Sequence, residues 1–181
     1  MGATHFSGPV VSADGFEGAA VSGLAAAGIT DAATIAFDIT KTGKVISTQV
    51  FIDIAGLASS TTDLDIIGTG TSAAYLLRID NATMGQIFAL TMTCLEAPVT
   101  GVTDIDLYVA TEGTGAFDDG IAALTETAIV TSGAAWTLNR VATATGWPLD
   151  DKYLYLTGGA AGTADTYSAG QFLIEMWGYE A

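Results

Sequence analysis

Two segments near the end of the chain constrain the fold most, because both are dense in the aromatic and aliphatic residues that favour β-strands. Residues 152–158 read Lys-Tyr-Leu-Tyr-Leu-Thr-Gly, and residues 171–179 read Gln-Phe-Leu-Ile-Glu-Met-Trp-Gly-Tyr. Between them, residues 158–170 are almost all Gly, Ala, Ser, Thr and Asp, which predicts the loop of a long β-hairpin. The second segment is the most hydrophobic, so we expect it to pair deep within a sheet and not at a free edge.

Side chains alternate between the two faces of a strand, so each segment can be sorted into faces. The predicted faces are Tyr153, Tyr155 and Thr157 against Leu154 and Leu156 in the first segment, and Phe172, Ile174 and Met176 against Leu173, Glu175 and Trp177 in the second.

The same alternation recurs along the chain from residue 31 onward. Short apolar runs are separated by turns of Gly, Ser, Thr and Asp, and no amphipathic helix of usable length is indicated. Besides the two segments above, predicted strands span residues 32–40, 45–54, 63–67, 74–80, 86–95, 104–110 and 128–131. We therefore predict an all-β protein: a single, jelly-roll-like β-sandwich of eight or nine short strands.

Residues 1–30 differ from the rest and are predicted to form an extended N-terminal arm, which leaves residues 31–181 as the sandwich domain. Residues 6–16 are an extended, turn-punctuated segment with a few large apolar side chains. Residues 17–28 are mostly small, and their glycines disfavour a helix. We expect the arm to dock on a partner. Its predicted contact residues are Phe6, Pro9, Val10, Val11 and Phe16.

The charge balance excludes some partners. Five Lys and Arg residues against 20 Asp and Glu residues give a formal net charge of −15. Because phosphate binding depends on Lys and Arg, we expect no nucleic-acid partner. An anionic membrane surface is disfavoured for the same reason, and no apolar run reaches the 18 residues of a transmembrane helix.

Catalytic residues are scarce. The only histidine is His5, in the predicted arm, so a Ser-His or Cys-His nucleophilic site has no base on the folded body. The single cysteine, Cys94, lies in a predicted strand, where a buried and inert thiol is expected. We predict that the protein is not an enzyme.

Carboxylates occur in pairs. The pairs are Asp63 with Asp65 and Asp104 with Asp106 on predicted strands, and Asp118 with Asp119 and Asp150 with Asp151 in loops. We interpret them as solvated positions that alternate with core positions. A catalytic pair of glycosidase type and a structural calcium site are the alternatives. The preferred interpretation predicts no metal and no cofactor, and little effect of a chelator on stability.

The three tryptophans, and two tyrosines of the first terminal segment, are predicted to be core or subunit-contact residues. Subunit contacts are assigned to Tyr153, Tyr155 and Trp177, while Trp136 and Trp147 complete the aromatic set. A lectin-like stacking site for sugars is the alternative.

Three passages together are similar to a known group of proteins. The first is residues 4–16, Thr-His-Phe-Ser-Gly-Pro-Val-Val-Ser-Ala-Asp-Gly-Phe. The second combines residues 87–98, Ile-Phe-Ala-Leu-Thr-Met-Thr-Cys-Leu-Glu-Ala-Pro, with residues 104–110 and 123–128. The third is residues 152–158 with residues 169–179. They resemble small structural proteins of tailed bacteriophages, many of them marine.

The resemblance implies a capsid decoration (cement) protein without catalytic residues. Such a protein would be assembled in the host cytoplasm and would lie on the capsid surface of the virion. Its partners would be the major capsid protein and further copies of itself, with a homotrimer preferred. A carbohydrate-binding β-sandwich, such as a host-adhesion head or fibre protein, is the main alternative, and an enzyme of glycosidase type is a third.

Overall fold

The computed structural model describes residues 24–180, which form eleven strands and three short helices. The strands are β1 (Thr34–Thr42), β2 (Val45–Asp53), β3 (Ala58–Ser59), β4 (Leu77–Arg78), β5 (Gln86–Val99), β6 (Ile105–Ala110), β7 (Glu126–Val130), β8 (Val141–Thr143), β9 (Tyr153–Gly158), β10 (Asp165–Thr166) and β11 (Ala169–Tyr179). The helices are α1 (Ala27–Thr30), α2 (Asn81–Met84) and a 3-10 turn at Ile121–Ala123.

Nine of these strands build two antiparallel sheets. The five-stranded sheet has the order β1-β2-β11-β5-β8, and the four-stranded sheet has the order β4-β9-β6-β7. The remaining two strands, β3 and β10, form a separate two-residue ladder. The two large sheets pack together as a sandwich, so the predicted all-β fold is confirmed.

The strand order is that of a jelly roll. Leaving β1 and the small ladder aside, the first strand, β2, pairs with the last, β11. Among the strands that lie between β2 and β11 in the chain, β4 pairs with β9, β5 with β8, and β6 with β7. This nesting is that of one long antiparallel hairpin wrapped into two facing sheets. The predicted jelly-roll-like sandwich is therefore confirmed, and β1 widens one sheet by a strand.

The predicted terminal hairpin is wrong. Strand β9 lies between β4 and β6, whereas β11 lies in the other sheet between β2 and β5. The chain between them crosses from one sheet to the other and is held by Tyr167, whose hydroxyl donates to the Val102 carbonyl at 2.7 Å. Each of the two strands has two hydrogen-bonded neighbours in its own sheet. The expectation that β11 pairs deep within a sheet is confirmed.

The core lies between the sheets and follows the predicted alternation. Phe172, Ile174 and Met176 of β11 are fully buried, and the side chains that alternate with them face outward. The indole of Trp136 packs edge-on against the Phe172 ring, with centroids 5.4 Å apart. Each fully buried side chain of this size stabilises the fold by about 1.5–3 kcal/mol relative to an exposed one.

Two predicted strands are shorter than expected. Residues 63–67 make only isolated bridges, since Leu64 has a left-handed backbone (φ 64°) that interrupts the extended chain. Residues 74–80 form a regular strand only at Leu77–Arg78. The turn predicted after them is α2, which begins where the Asp80 carboxylate accepts a hydrogen bond from the Ala82 amide at 3.1 Å.

Residues 24–30, which we assigned to the arm, belong to the sandwich. The Gly28 amide donates to the Ala73 carbonyl at 2.8 Å, and Ile29 is fully buried. The folded body therefore includes the chain from residue 24 onward. The predicted arm contacts Phe6, Pro9, Val10, Val11 and Phe16 lie outside the described residues.

Candidate interaction surface

The outward side of the five-stranded sheet carries half-buried and exposed side chains that alternate with core residues. We call this set the outer sheet face. Its members are Ala36, Asp38, Ser47, Gln49, Phe51, Ala89, Thr91, Thr93, Val141, Thr143, Leu173, Glu175 and Trp177.

An uncharged row crosses all five strands of this face. The row runs from β1 to β8 through residues that lie opposite each other in the strand ladders. Its members, in order, are Ala36, Phe51, Leu173, Thr93 and Val141. A shallow hollow of about 140 Å³ opens beside Ala36, Phe51 and Leu173. Side chains directly opposite each other pack together, so the row forms one continuous and mostly apolar strip.

Trp177 lies on the same face, two rows from this strip. Its register neighbours are Ser47 on β2 and Ala89 on β5, both small, and its indole is half-buried. Tyr179 follows at the end of β11, with the Lys44 ammonium 5.3 Å from its ring centroid. The predicted subunit contact at Trp177 is thus placed where a neighbour could reach it.

Between the apolar strip and Trp177, the acidic groups are hydrogen-bonded within the face. Gln49 Nε2 donates to the Glu175 carboxylate at 3.1 Å. At the other side of the strip, Gln171 Nε2 donates to Asp53 at 3.3 Å. These amides satisfy acceptors that would otherwise need water, which lowers the cost of covering the face.

The other two predicted subunit contacts lie elsewhere. Tyr155 is fully buried, its hydroxyl donates to the Glu112 carbonyl at 2.8 Å, and burial raises its pKa to about 12. It has no surface to offer a neighbouring subunit and is a core residue of its own chain. Tyr153 is half-buried, with its ring edge-on to Tyr75 at 4.9 Å and the Arg78 guanidinium 5.9 Å from its centroid.

Strand β1 forms one edge of the five-stranded sheet. Within the described part of the chain, no strand pairs with its free side. Its Ile35, Phe37 and Ile39 point toward the core side but are only half-buried. An open edge of nine residues can accept a further extended strand.

A second concave surface contains aromatic side chains. Phe88, Trp147 and Tyr179 are 57%, 42% and 47% exposed, and they line a groove of about 450 Å³ together with Gln86 and Asp150. The combination of exposed rings with amide and carboxylate groups is the chemistry that a sugar-binding site needs.

The paired carboxylates do not share one environment. Asp118 and Asp151 lie in exposed turns with left-handed backbone, as the solvated interpretation requires. That interpretation is wrong for Asp65 and Asp106, which are only 8% and 5% exposed. Burial raises the pKa of Asp106, opposed by a hydrogen bond from the Ser132 amide, and neighbouring acidic charges raise it further.

The described residues hold few groups suited to catalysis. Cys94 is buried, and burial raises the pKa of its thiol. Across residues 24–180, no group of three or more His, Cys, Asp or Glu side chains is placed to hold a metal ion by these residue types alone. No helix in that range is long and apolar enough to cross a bilayer.

Comparisons with protein-family models, curated proteins and solved structures found no match for this chain.

The outer sheet face was missed by sequence reasoning, although a signal for it exists. Phe51 and Leu173 occupy positions where simple alternation calls for polar residues, and both follow core positions directly. Apolar residues on both faces of a strand indicate cover on both sides. Without the strand order, however, they could not be joined into one row.

Proposed function

We propose that this chain is a non-enzymatic virion protein that decorates the outside of a bacteriophage capsid as a homotrimer. The observation that carries the proposal is the uncharged strip from Ala36 to Val141 across the outer sheet face. The resemblance of three sequence passages to phage structural proteins supports the same conclusion. The partners are other copies of the chain and the major capsid protein.

Contact between copies is the use that best suits the strip. A chain with a net charge of −15 repels its own copies, so they can approach closely only through a region without free charge. The strip meets that need within its own row, because its members are uncharged. The acidic Asp38 and Glu175 lie in the next row, where they accept hydrogen bonds from Thr40 and Gln49. Trp177 on the same face is the type of residue that contributes most to such contacts.

Attachment to the capsid is assigned to the N-terminal arm. An acidic body has little electrostatic attraction to an acidic shell, so affinity must come from apolar and backbone contacts. The arm offers Phe6, Val10, Val11 and Phe16 as apolar groups, and Pro9 lowers the entropy that ordering costs. If residues 6–16 are extended, as the sequence predicts, they can add a strand to an exposed sheet edge on the capsid or on a neighbouring subunit.

The assembly is tested by light scattering on the full chain, whose monomer mass is 18.4 kDa. We expect a trimer at micromolar concentration, and monomers for the variants Phe51→Gln and Leu173→Gln. Val99→Gln, which changes an exposed apolar residue outside the strip, is the matched control and should stay trimeric. A monomeric wild-type protein, or variants that remain trimeric, would contradict the proposal.

The location on the virion is tested by cryo-electron microscopy of the parent particle. Particles with and without this protein should differ by density on the outer capsid surface at sites that can hold three copies. Density found only on the tail or on fibres would contradict the decoration role and favour host adhesion.

Carbohydrate binding is the second candidate, and the groove of Phe88, Trp147 and Tyr179 favours it. A glycan array probed with the full chain would show binding that is lost in Trp147→Ala, because stacking on the indole is removed. Trp177→Ala, on the outer sheet face, serves as the control variant and should retain glycan binding. No binding to any glycan would exclude this role.

A further inference from the structure

Two carboxylates and a threonine hydroxyl meet where β6 begins and β9 ends. In the ladder between these strands Asp106 lies directly opposite Thr157. Asp104, two residues before Asp106, lies beside Gly159, two residues after Thr157. The Gly159 amide donates to the Asp104 carbonyl at 2.8 Å. Residues opposite each other in an antiparallel ladder point to the same side of the sheet, so the three side chains share one face.

Because Gly159 has no side chain, a space is left beside its Cα atom. The carboxylates of Asp104 and Asp106 both point into this space. A Cβ atom placed on Gly159 would lie 2.8 Å from Asp104 Oδ1 and 2.8 Å from Asp106 Oδ1. Any residue other than glycine would therefore displace one of the two carboxylate oxygens. The two negative groups converge on one point, although like charges repel each other.

Two of these three side chains have a buried oxygen atom without a hydrogen-bond partner. Three buried side-chain oxygen atoms of residues 24–180 have no hydrogen-bond partner, and two of them are Asp104 Oδ1 and Thr157 Oγ1. Thr157 is fully buried, and Asp106 receives a bond from the Ser132 amide at 2.6 Å. Buried polar atoms in folded proteins are almost always satisfied, so two orphan oxygens beside a buried carboxylate indicate a missing partner.

No basic side chain of the described chain supplies that partner. The ion pairs of residues 24–180 are Lys41 with Glu180 and Arg78 with Asp151, and neither lies at this point. The only further charge acting on Asp106 comes from Asp63, which is itself acidic. The start of β6 is therefore a concentration of negative charge around unpartnered oxygen atoms.

We propose that Asp104, Asp106 and Thr157 bind a divalent cation of calcium type, which ties the start of β6 to the end of β9. All three offer oxygen, the ligand that calcium prefers, and calcium accepts irregular coordination completed by water. Zinc is the wrong occupant, because the point offers neither nitrogen nor sulfur. This assignment differs from the sequence-based expectation of no metal, which placed Asp106 on a solvated face.

The direct test is isothermal titration of the full chain with calcium chloride after removal of metal by a chelator. We expect one calcium ion per chain. We also expect the melting temperature to rise by several degrees in about 1 mM calcium, since a ligand bound only by the folded state stabilises it. No heat of binding and no change in melting temperature would overturn the proposal.

Three variants separate this site from general effects of calcium on an acidic protein. Asp104→Asn and Thr157→Val should each weaken binding at least tenfold and reduce the rise in melting temperature. Asp118→Asn, at an exposed turn position whose left-handed backbone asparagine tolerates, should keep the full rise. An equal rise in all four proteins would overturn the assignment to this site.

A shared proton is the competing way to neutralise two adjacent carboxylates. In that case Asp106→Asn is more stable than the wild type in chelator and calcium changes neither protein, which overturns the proposal. If calcium is the partner, the melting temperature of Asp106→Asn equals or exceeds that of the wild type in chelator. In calcium it lies below that of the wild type. The comparison in both buffers is therefore decisive.

Discussion

At the scale of single residues, tyrosine hydroxyls join loops to the sandwich. Tyr167 donates to the Val102 carbonyl, and Tyr155 donates to the Glu112 carbonyl. In both cases a fully buried ring places its polar end at a loop backbone, which satisfies an acceptor that lies away from water. The sequence predicted strand character for Tyr155 but placed Tyr167 in a structureless loop, because one aromatic residue among small ones gives no periodic signal.

The carboxylate of Asp80 makes a pH-dependent contribution that can be measured. It accepts bonds from the Ala82 amide and the Thr83 hydroxyl at the start of α2, and these bonds, led by the one from Thr83, lower its pKa. A lowered folded pKa means that the contribution is present above the ordinary value of 3.8 and is lost as the pH falls through the folded pKa.

We therefore expect Asp80→Ala to reduce the free energy of unfolding by about 1 kcal/mol near neutral pH, as for other helix N-caps. The difference in the free energy of unfolding between Asp80→Ala and the wild type should shrink at pH values below the ordinary pKa of the Asp80 carboxyl group. Urea denaturation at both pH values measures it. Asp31→Ala is the control, since no side-chain hydrogen bond of Asp31 occurs among the described residues. A difference that is the same at both pH values would contradict the role of the charge.

At the scale of elements, β11 organises the five-stranded sheet. It pairs along nearly its whole length with both β2 and β5, and its alternate residues fill the core. Local alternation was enough to predict this strand, its faces and its central place. The two strands that pair with β11 could not be predicted, because the residue pattern of one strand does not depend on which strand it is hydrogen-bonded to. The composition of the connecting segment favoured a hairpin, while the actual chain uses the same length to cross between sheets.

The two faces of β11 should respond very differently to truncation. Ile174→Ala removes most of a fully buried side chain, and we expect the free energy of unfolding to fall by about 2–5 kcal/mol, because apolar burial is lost and a cavity is left. Glu175→Ala, the next residue on the outer sheet face, should cost less than about 1 kcal/mol, because its hydrogen bond to Gln49 is exposed. Chemical denaturation of both variants checks the contrast, and equal losses would contradict the assigned faces.

The candidate surfaces were predicted less completely than the fold. Trp177 was placed among the contact residues because it is a large aromatic residue, and it lies on the outer sheet face. Tyr155 was assigned to a subunit contact because alternation does not reveal which face of a strand the loops cover; the segment around Glu112 covers this one. Asp106 was interpreted as solvated for the same reason.

At the scale of the whole molecule, the described residues form one β-sandwich. Residues 24–180 contain both sheets and a continuous core. We expect residues 2–17 to be separable from folding, which is the basis of the prediction for capsid attachment.

Deleting residues 2–17 should leave the melting curve of the protein nearly unchanged and abolish co-sedimentation with capsids. The physical reason is that the deletion removes the apolar groups assigned to the capsid contact, Phe6 to Phe16, and no described core residue. Phe51→Gln serves as a comparison, since it should disturb assembly of copies while the arm stays intact. A truncated protein that still binds capsids at full occupancy would contradict the role of the arm.

The nested pairing of the strands also determines when the protein can fold during translation. The central strand of the five-stranded sheet, β11, is synthesised after the other ten described strands, and until then β2 and β5 lack their shared neighbour. A nascent chain with the other ten described strands already outside the exit tunnel still leaves one backbone edge of β2 and one of β5 unpaired. Folding must therefore follow synthesis of β11, and molecular chaperones have a natural substrate in the unfinished chain.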